Sequence, residues 1–321
     1  MSNVVYSIVV PMFNEELVIA ESYKRLKSVM DSFKEPYEIV FVNDGSRDKT
    51  GSIIREICET DPNIKLVDFS RNFGHQIAIT AGMDYTVGQA IVVIDGDLQD
   101  PPEVIAQMAT KWREGYDVVY GKRASREGET FFKKFTAKVF YRFLRKMTDV
   151  DIPVDTGDFR LIDRKVCDAL KQVNEHNRYI RGLISWLGFK QTGVEFNRDK
   201  RFAGETKYPL KKMIKFATDG IASFSLKPLK LSSGIGVMLL SVSSFYLLVA
   251  LVQKIFGLGV IPGWAPVLAV NLFFDGVVLL MLGIIGEYIG RIYDEAKGRP
   301  LYMIRELKNI KPEDIAVKRG K

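Results

Sequence analysis

The sequence predicts an α/β domain on a mostly parallel sheet, followed by two membrane-spanning helices. Three observations carry this. Short β-branched runs alternate with helix-length amphipathic segments from Val5 to Tyr120. Polar clusters rich in Asn and Asp follow three of those runs. Two long, nearly uncharged stretches occupy the region after Lys230.

Five strands are expected: Val5–Val10, Tyr37–Val42, Ile64–Asp68, Ala90–Ile94 and Asp117–Tyr120. Helices are expected between them at Glu16–Phe33, Thr50–Cys58, Gln76–Tyr85 and Glu103–Arg113. The clusters Asn14-Glu15, Asn43-Asp44-Gly45-Ser46 and Asp95-Gly96-Asp97 each follow a strand. In a parallel sheet those strand ends share one edge, where ligands bind in open α/β folds. Asp95 and Asp97 are hard oxygen donors that suit Mg²⁺ or Mn²⁺ bridging a diphosphate. Gly96 between them is expected to let the backbone approach a ligand. The plainer reading is an acidic loop stopped by Pro101-Pro102.

Two segments have the character of interface helices. Residues 131–147 place Phe132, Phe135, Val139, Phe140 and Phe143 at helical spacing, bordered by Lys134, Lys138, Arg142 and Arg145. Residues 209–226 repeat the pattern, with Leu210, Met213, Ile214 and Ala217 beside Lys211, Lys212 and Lys215. An ordinary amphipathic helix packed on the sheet is the alternative. The spans are Leu231–Val252 and Gly263–Ile285, the second broken only by Asp275. Lys227 and Lys230 precede the first, and Arg291, Lys297 and Arg299 follow the second, so both termini are expected in the cytoplasm. Asp275 is costly in lipid and should face the partner helix or another subunit, which suggests homo-oligomerisation through the spans. The expected domains are 1–230, a cytoplasmic catalytic unit; 231–290, the membrane helices; and 291–321, a cytoplasmic tail.

Composition narrows the classes. The net charge is +7, much of it between Lys122 and Lys146. Such a cluster suits nucleic acid, anionic lipid or an anionic substrate. The aromatic face beside it and the adjacent spans favour lipid over nucleic acid. Two distant cysteines, Cys58 and Cys167, exclude a disulfide framework or a Cys-based zinc site. No signal peptide is expected ahead of the strand-like Ser7-Ile8-Val9-Val10.

Several motifs together resemble the glycosyltransferase family 2 catalytic domain, specifically its polyisoprenyl-phosphate glycosyltransferases, the dolichyl-phosphate mannose synthase-like and GtrB-like enzymes. They are Val10-Pro11-Met12-Phe13-Asn14-Glu15-Glu16, Val42-Asn43-Asp44-Gly45-Ser46-Arg47-Asp48, Ser70-Arg71-Asn72-Phe73-Gly74-His75 and Asp95-Gly96-Asp97-Leu98-Gln99-Asp100-Pro101. Gly157-Asp158-Phe159-Arg160, Arg201-Phe202-Ala203-Gly204-Glu205-Thr206-Lys207-Tyr208 and Gly286-Glu287-Tyr288-Ile289-Gly290-Arg291 follow in order. Each is weak alone; their number and order are specific. The resemblance implies a GT-A type, Rossmann-like fold with interface helices and two membrane spans.

It also implies roles. Pro11, Phe13, Glu15, Asp44 and Asp95 would hold the nucleoside. Asp97 and Gln99 would coordinate Mg²⁺ or Mn²⁺, Asp97 thereby serving catalysis. Arg123, Lys133 (or its neighbour Lys134), Arg201 and Lys207 would neutralise phosphates; for Arg123 a solvated basic surface is an equal alternative. Asp158 resembles the family's proposed base. Yet a phosphate monoester is largely dianionic at neutral pH and needs no base, so Asp158 could instead orient the sugar. His75 shows no metal-ligand spacing and is read as structural or a minor polar contact.

The expected function is inverting transfer of one sugar from a nucleotide sugar, UDP-glucose or another UDP-hexose, to a polyisoprenyl phosphate such as undecaprenyl phosphate. The reaction would occur at the cytoplasmic face of the inner membrane. A processive polysaccharide synthase is the nearest rival, but no Gln-x-x-Arg-Trp motif occurs. A non-catalytic membrane partner that keeps the fold is the other.

Overall fold

A computed structural model describes residues 3–124, 153, 156–199, 264–310 and scattered positions between 229 and 256. The expected interface helices 131–147 and 209–226, with Lys133, Arg201 and Lys207, lie outside the described residues, as do residues 311–321. Much of the first expected span lies outside them too.

The chain runs β1 (Tyr6–Met12), α1 (Ile19–Ser32), β2 (Tyr37–Asn43), α2 (Thr50–Thr60), β3 (Ile64–Phe69), α3 (His75–Asp84), β4 (Ala90–Val93), α4 (Val104–Arg113) and β5 (Val118–Arg123). Then come β6 (Thr156–Asp163), α5 (Arg164–Lys171), α6 (Ile180–Trp186), β7 (Gln191–Phe196), α7 (Trp264–Ala296) and β8 (Ile304–Lys308). The strands form one sheet in the order β7-β5-β6-β4-β1-β2-β3-β8. β4, β1, β2 and β3 are mutually parallel. β6 is antiparallel to both β4 and β5, and β8 is antiparallel to β3.

The alternation of side chains explains why the central strands are apolar on both faces. Tyr6, Ile8, Val10 and Met12 of β1 point to a layer with Ile19 and Leu26 of α1, Ile54 of α2 and Ile105 of α4. Val9 points the other way, with Val40, Val42, Ala78, Ile79 and Ile184, toward α3, α5 and α6.

Two features lie beyond the sequence reading. First, the chain does not continue in parallel after β5. β5 ends at the same edge as β1, β2 and β4, and β6 begins there and runs back. That reversal places Asp158, near the start of β6, at the edge that carries Asp95. A βα alternation cannot signal such a strand, because its direction depends on pairing partners distant in sequence.

Second, the segment expected as a tail contributes a strand, Ile304–Lys308, among its described residues. α7 continues to Ala296, past the expected end of the span, and β8 then completes the sheet edge beside β3. Tyr302 stacks on Phe69 with ring centroids 5.2 Å apart. Asn309 Nδ2 donates to the carbonyls of Cys58 (2.7 Å) and Ile64 (2.8 Å). A fragment ending near Leu226 would lack this strand and leave the β3 edge open to aggregation. Replacing the single side chain Asn309 by Ala should cost about 1.5 kcal/mol, because both carbonyls lose a donor. A fall of several degrees in the thermal midpoint of the detergent-solubilised chain would show it; an unchanged midpoint would contradict the role assigned to β8.

Within α7, Phe273–Ala296 is long and apolar enough to cross a membrane, with mean hydropathy 1.7 and none of the tested stretch buried. Asp275 is exposed on it. The helix has 33 residues, about 50 Å at about 1.5 Å per residue, against about 30 Å of hydrocarbon in a bilayer. Its charged end, with the Glu287–Arg291 pair at 3.0 Å, is the part that can project beyond.

Candidate active site

Three loops meet at the carboxyl edge of β1, β2 and β4, as the polar clusters predict. Asn14 after β1 receives the Arg47 amide at 2.9 Å and gives its own amide to Ser46 Oγ at 3.0 Å. The Glu15 amide reaches Thr50 Oγ1 at 2.9 Å, tying the first loop to the start of α2. Gly45 has φ +64°, and a Cβ there would strike the backbone of Arg71 and Asn72, so only glycine lets the loop after β2 touch the loop after β3.

The nucleoside set divides. Pro11 is buried inside β1 opposite Val42, while Phe13 is 38% exposed and offers the open ring. Asp44 is buried, and its carboxylate accepts from the Phe73 amide (2.7 Å), the Gly74 amide (3.0 Å) and Asn72 Nδ2 (2.9 Å). Burial raises its pKa, with those amides opposing. Asp44 therefore latches the Ser70–Gly74 loop and holds the start of α3 in place. Gly96 also has a different reason than expected: a Cβ would collide with Met12 Sδ, so glycine here serves packing against β1.

Leu98 adopts φ +58°, a left-handed conformation uncommon for a bulky side chain. This turn lets the Gln99 amide donate back to Asp97 Oδ1 at 3.1 Å. Asp95 Oδ1 is buried and takes no hydrogen bond among the described residues. Burial raises the Asp95 pKa, and the charges of Asp158 and Asp97 add to this. An anionic pair of this kind fits a divalent cation. The described residues contain no group of three His, Cys, Asp or Glu side chains able to hold one alone. That matches the habit of Mg²⁺, which uses one or two carboxylates and takes its other ligands from water and substrate phosphates.

Around Asp158 the structure assembles groups the sequence did not connect. Gln76 Nε2 donates to Oδ2 at 2.9 Å, and His75 Nε2 lies 3.2 Å from the same oxygen. Arg181 Nε stands 3.1 Å from Oδ1. Gln76 Oε1 in turn accepts from the Ile180 amide at 3.0 Å, which locks α6 to α3. Burial alone would raise the Asp158 pKa, but Arg181, the His75 hydrogen bond and charge, and Arg160 outweigh it and hold the carboxyl well below the usual carboxylate range. His75, read from the sequence as a minor contact, bridges two carboxylates: its Nε2 is 3.4 Å from Asp95 Oδ1 as well. Sequence offered only its place in the Ser70–His75 motif; Arg181 carried no signal, since its tie to Asp158 exists only once α6 packs beside β6.

His75 makes a pH prediction. Partial burial pulls its pKa down, but the Asp158 hydrogen bond and the Asp95 and Asp158 charges raise it to about 9. The folded value exceeds the ordinary value of about 6.5. Protonated His75 therefore stabilises the fold fully below about pH 6.5, and that contribution is lost as pH rises through about 9. Thermal melts with EDTA should show wild type losing its advantage over His75→Gln across that window. Parallel profiles would contradict a charged His75.

Asp100 is buried beside Arg198, whose Nε is 3.3 Å from Oδ1. Burial and the Asp95 charge push its pKa up to about 6, with Arg198 and Arg123 opposing. Arg123, at the end of β5, lies close against Gly157 beside this carboxylate, on the wall behind the Asp95–Asp97 loop. Asp199 gives its amide to the Gln99 carbonyl at 2.9 Å, so the chain leaving β7 toward Arg201 starts at the acidic loop.

The mostly parallel mixed sheet is of the GT-A-like α/β class, and residues 7–171 match Glycosyl transferase family 2. The chain belongs to that family and is a glycosyltransferase. It is 62% identical over 301 residues to the uncharacterized glycosyltransferase YkcC of Bacillus subtilis strain 168, covering 94% of this chain and 93% of that one. It is 50% identical to the uncharacterized glycosyltransferase sll0501 of Synechocystis sp., covering 94% and 95%. It is 40% identical over 302 residues to the prophage bactoprenol glucosyl transferase homolog of Escherichia coli K12, covering 94% and 99%.

Proposed function

We propose that this enzyme transfers one hexose, glucose in the first instance, from a UDP-sugar to a polyisoprenyl phosphate at the cytoplasmic face of the membrane. The observation that carries this reading is which edge of the sheet the membrane-directed segments use. β5 and β7 end at the carboxyl edge, and the chain leaves them toward 131–147 and 209–226. β8 starts at that same edge directly after α7. The carboxylates share the edge from which the chain leaves toward those segments and returns from α7, which supports a lipid phosphate as acceptor. The name borne by the Escherichia coli relative supports the same acceptor and sugar.

In the proposed reaction a phosphate oxygen of the lipid attacks the anomeric carbon. The bond from that carbon to the diphosphate oxygen breaks, and the nucleoside diphosphate leaves with the electron pair. A single displacement inverts the anomeric centre. Asp97 and Gln99, with Asp95 beside them, would hold Mg²⁺ or Mn²⁺, which supplies charge stabilisation to the leaving diphosphate. Phe13 and Glu15 would border the nucleoside, with Pro11 and Asp44 shaping the pocket wall from within. Arg123, Lys133, Arg201 and Lys207 would balance phosphate charge. Asp158, held anionic by Arg181 and His75, is a poor proton acceptor, and the dianionic lipid phosphate needs none. It would instead accept hydrogen bonds from sugar hydroxyls. Asp275 would face the first span or a second copy of the chain.

A panel of radiolabelled nucleotide sugars, scored for chloroform-extractable product with added undecaprenyl phosphate, tests this. UDP-glucose should give product in a single addition. A polymer, or no lipid-linked sugar from any donor, would overturn the reading.

A further inference from the structure

His176 lies in the loop between α5 and α6, and no catalytic motif includes it. Its amide donates to Glu295 Oε1 at 2.6 Å. Its ring Nδ1 is 2.7 Å from Glu295 Oε2, and its Nε2 is 2.7 Å from the Arg299 carbonyl. A carboxylate and a carbonyl only accept, so this geometry suits a ring that donates from both nitrogens. The Glu295 hydrogen bond and the Arg299 carbonyl raise its pKa, against partial burial. Glu295 and Arg299 are the exit of α7, where the apolar helix leaves the bilayer under the proposed function.

The loop so fastened is stiff and leads straight to the site. Arg178 is buried and ties the loop to itself through the carbonyls of Val173 and Glu175. Two residues later the Ile180 amide holds Gln76, and Arg181 then faces Asp158. The segment beyond α7 grips the opposite side of the site as well: the Ser70 amide donates to the Met303 carbonyl at 3.0 Å, and Arg305 donates to the Ser70 carbonyl at 2.9 Å. Ser70 opens the loop that Asp44 latches and that ends at His75.

We infer that His176 is a positioning residue, a clasp between the catalytic domain and the exit of α7 that fixes the height and tilt of the carboxylate site over the bilayer. The inference rests on the lipid-acceptor reading for its catalytic consequence, but the clasp itself does not. Without it the site would still bind donor and turn over, yet would meet membrane-embedded acceptor less often in the productive orientation.

The test uses the full chain in lipid nanodiscs, with His176→Ala, Glu295→Ala and the double variant. Each single change should raise the KM for long-chain polyprenyl phosphate about tenfold, the loss of a charge-assisted hydrogen bond. The KM for donor, and turnover with a short-chain acceptor in solution, should stay as in wild type. The double variant should lose less than the product of the two single losses, because the ring–carboxylate contact is removed by both changes. Unchanged acceptor KM, equal losses for donor and acceptor, or multiplying losses in the double variant would overturn the clasp. Should wild type accept no polyprenyl phosphate, the function reading fails, and hydrogen exchange decides the clasp instead. Faster exchange of residues 173–180 in Glu295→Ala than in wild type supports it, and identical exchange overturns it.

Discussion

Asp97→Asn should reduce transfer by on the order of a thousandfold while leaving the fold intact. Asp97 stands at the end of the apolar run of β4, in a turn closed by Leu98 at positive φ and by the Gln99 amide. Asparagine keeps the oxygen that accepts from Gln99, so the turn survives. It loses the negative charge that a hard cation and its bound diphosphate require. Excess EDTA should bring wild type down to the same level, and added Mn²⁺ should restore wild type but not the variant. Two results would sink the metal assignment: full activity in EDTA, or wild-type turnover in Asp97→Asn. Circular dichroism of the variant separates a lost ligand from a lost fold.

Asp158→Asn carries the second large effect, and it bears on chemistry and stability together. The carboxylate faces Arg181 at 3.1 Å, His75 at 3.2 Å and Gln76 at 2.9 Å. Removing its charge leaves Arg181 and Arg160 facing each other's field in a buried setting, where breaking one partner costs about 3 kcal/mol. His75 loses its main hydrogen-bond acceptor, and its titration should fall toward the ordinary histidine range. For transfer, the expected loss is about ten- to a hundredfold, with a raised donor KM, because Asn still accepts and donates hydrogen bonds to a sugar. An obligatory base would give a larger, pH-dependent loss. A loss beyond about a thousandfold with donor and acceptor binding unchanged would restore that role. The electrostatics favour the smaller number: a carboxylate whose protonated form is so disfavoured gains little by taking a proton.

Much of the catalytic frame was legible in the residues. Ile91–Ile94 ending in Asp95-Gly96-Asp97 marked a buried strand and a ligand edge, and β1, β2 and β4 do bring the three polar clusters together there. The signal is strong because a parallel sheet allows one geometry: strand ends on one side, helices on the faces. The long apolar helix α7 was legible as well, because a run of about twenty apolar residues is visible in the chain itself. Less legible were residues whose function depends on who lies across from them. Gly96 packs against Met12, a reason for glycine that the sequence did not show. Asp44, expected at the nucleoside, also holds the backbone of the neighbouring loop.

Local structure could be read from the residues alone: strands and helices from periodicity, the acidic turn after β4, the apolar helix α7 and the family to which the motifs belong. Periodicity and composition are local, and local terms decide them. Long-range pairing set the direction of β6, the return of the chain into the sheet as β8, and the meeting of His75, Gln76 and Arg181 at Asp158. Those depend on hydrogen-bond pairing and charge neutralisation between segments tens to hundreds of residues apart. Such pairings have no period in the chain; they are fixed by burial, where an unmatched strand edge or an unmatched carboxylate is too costly to leave.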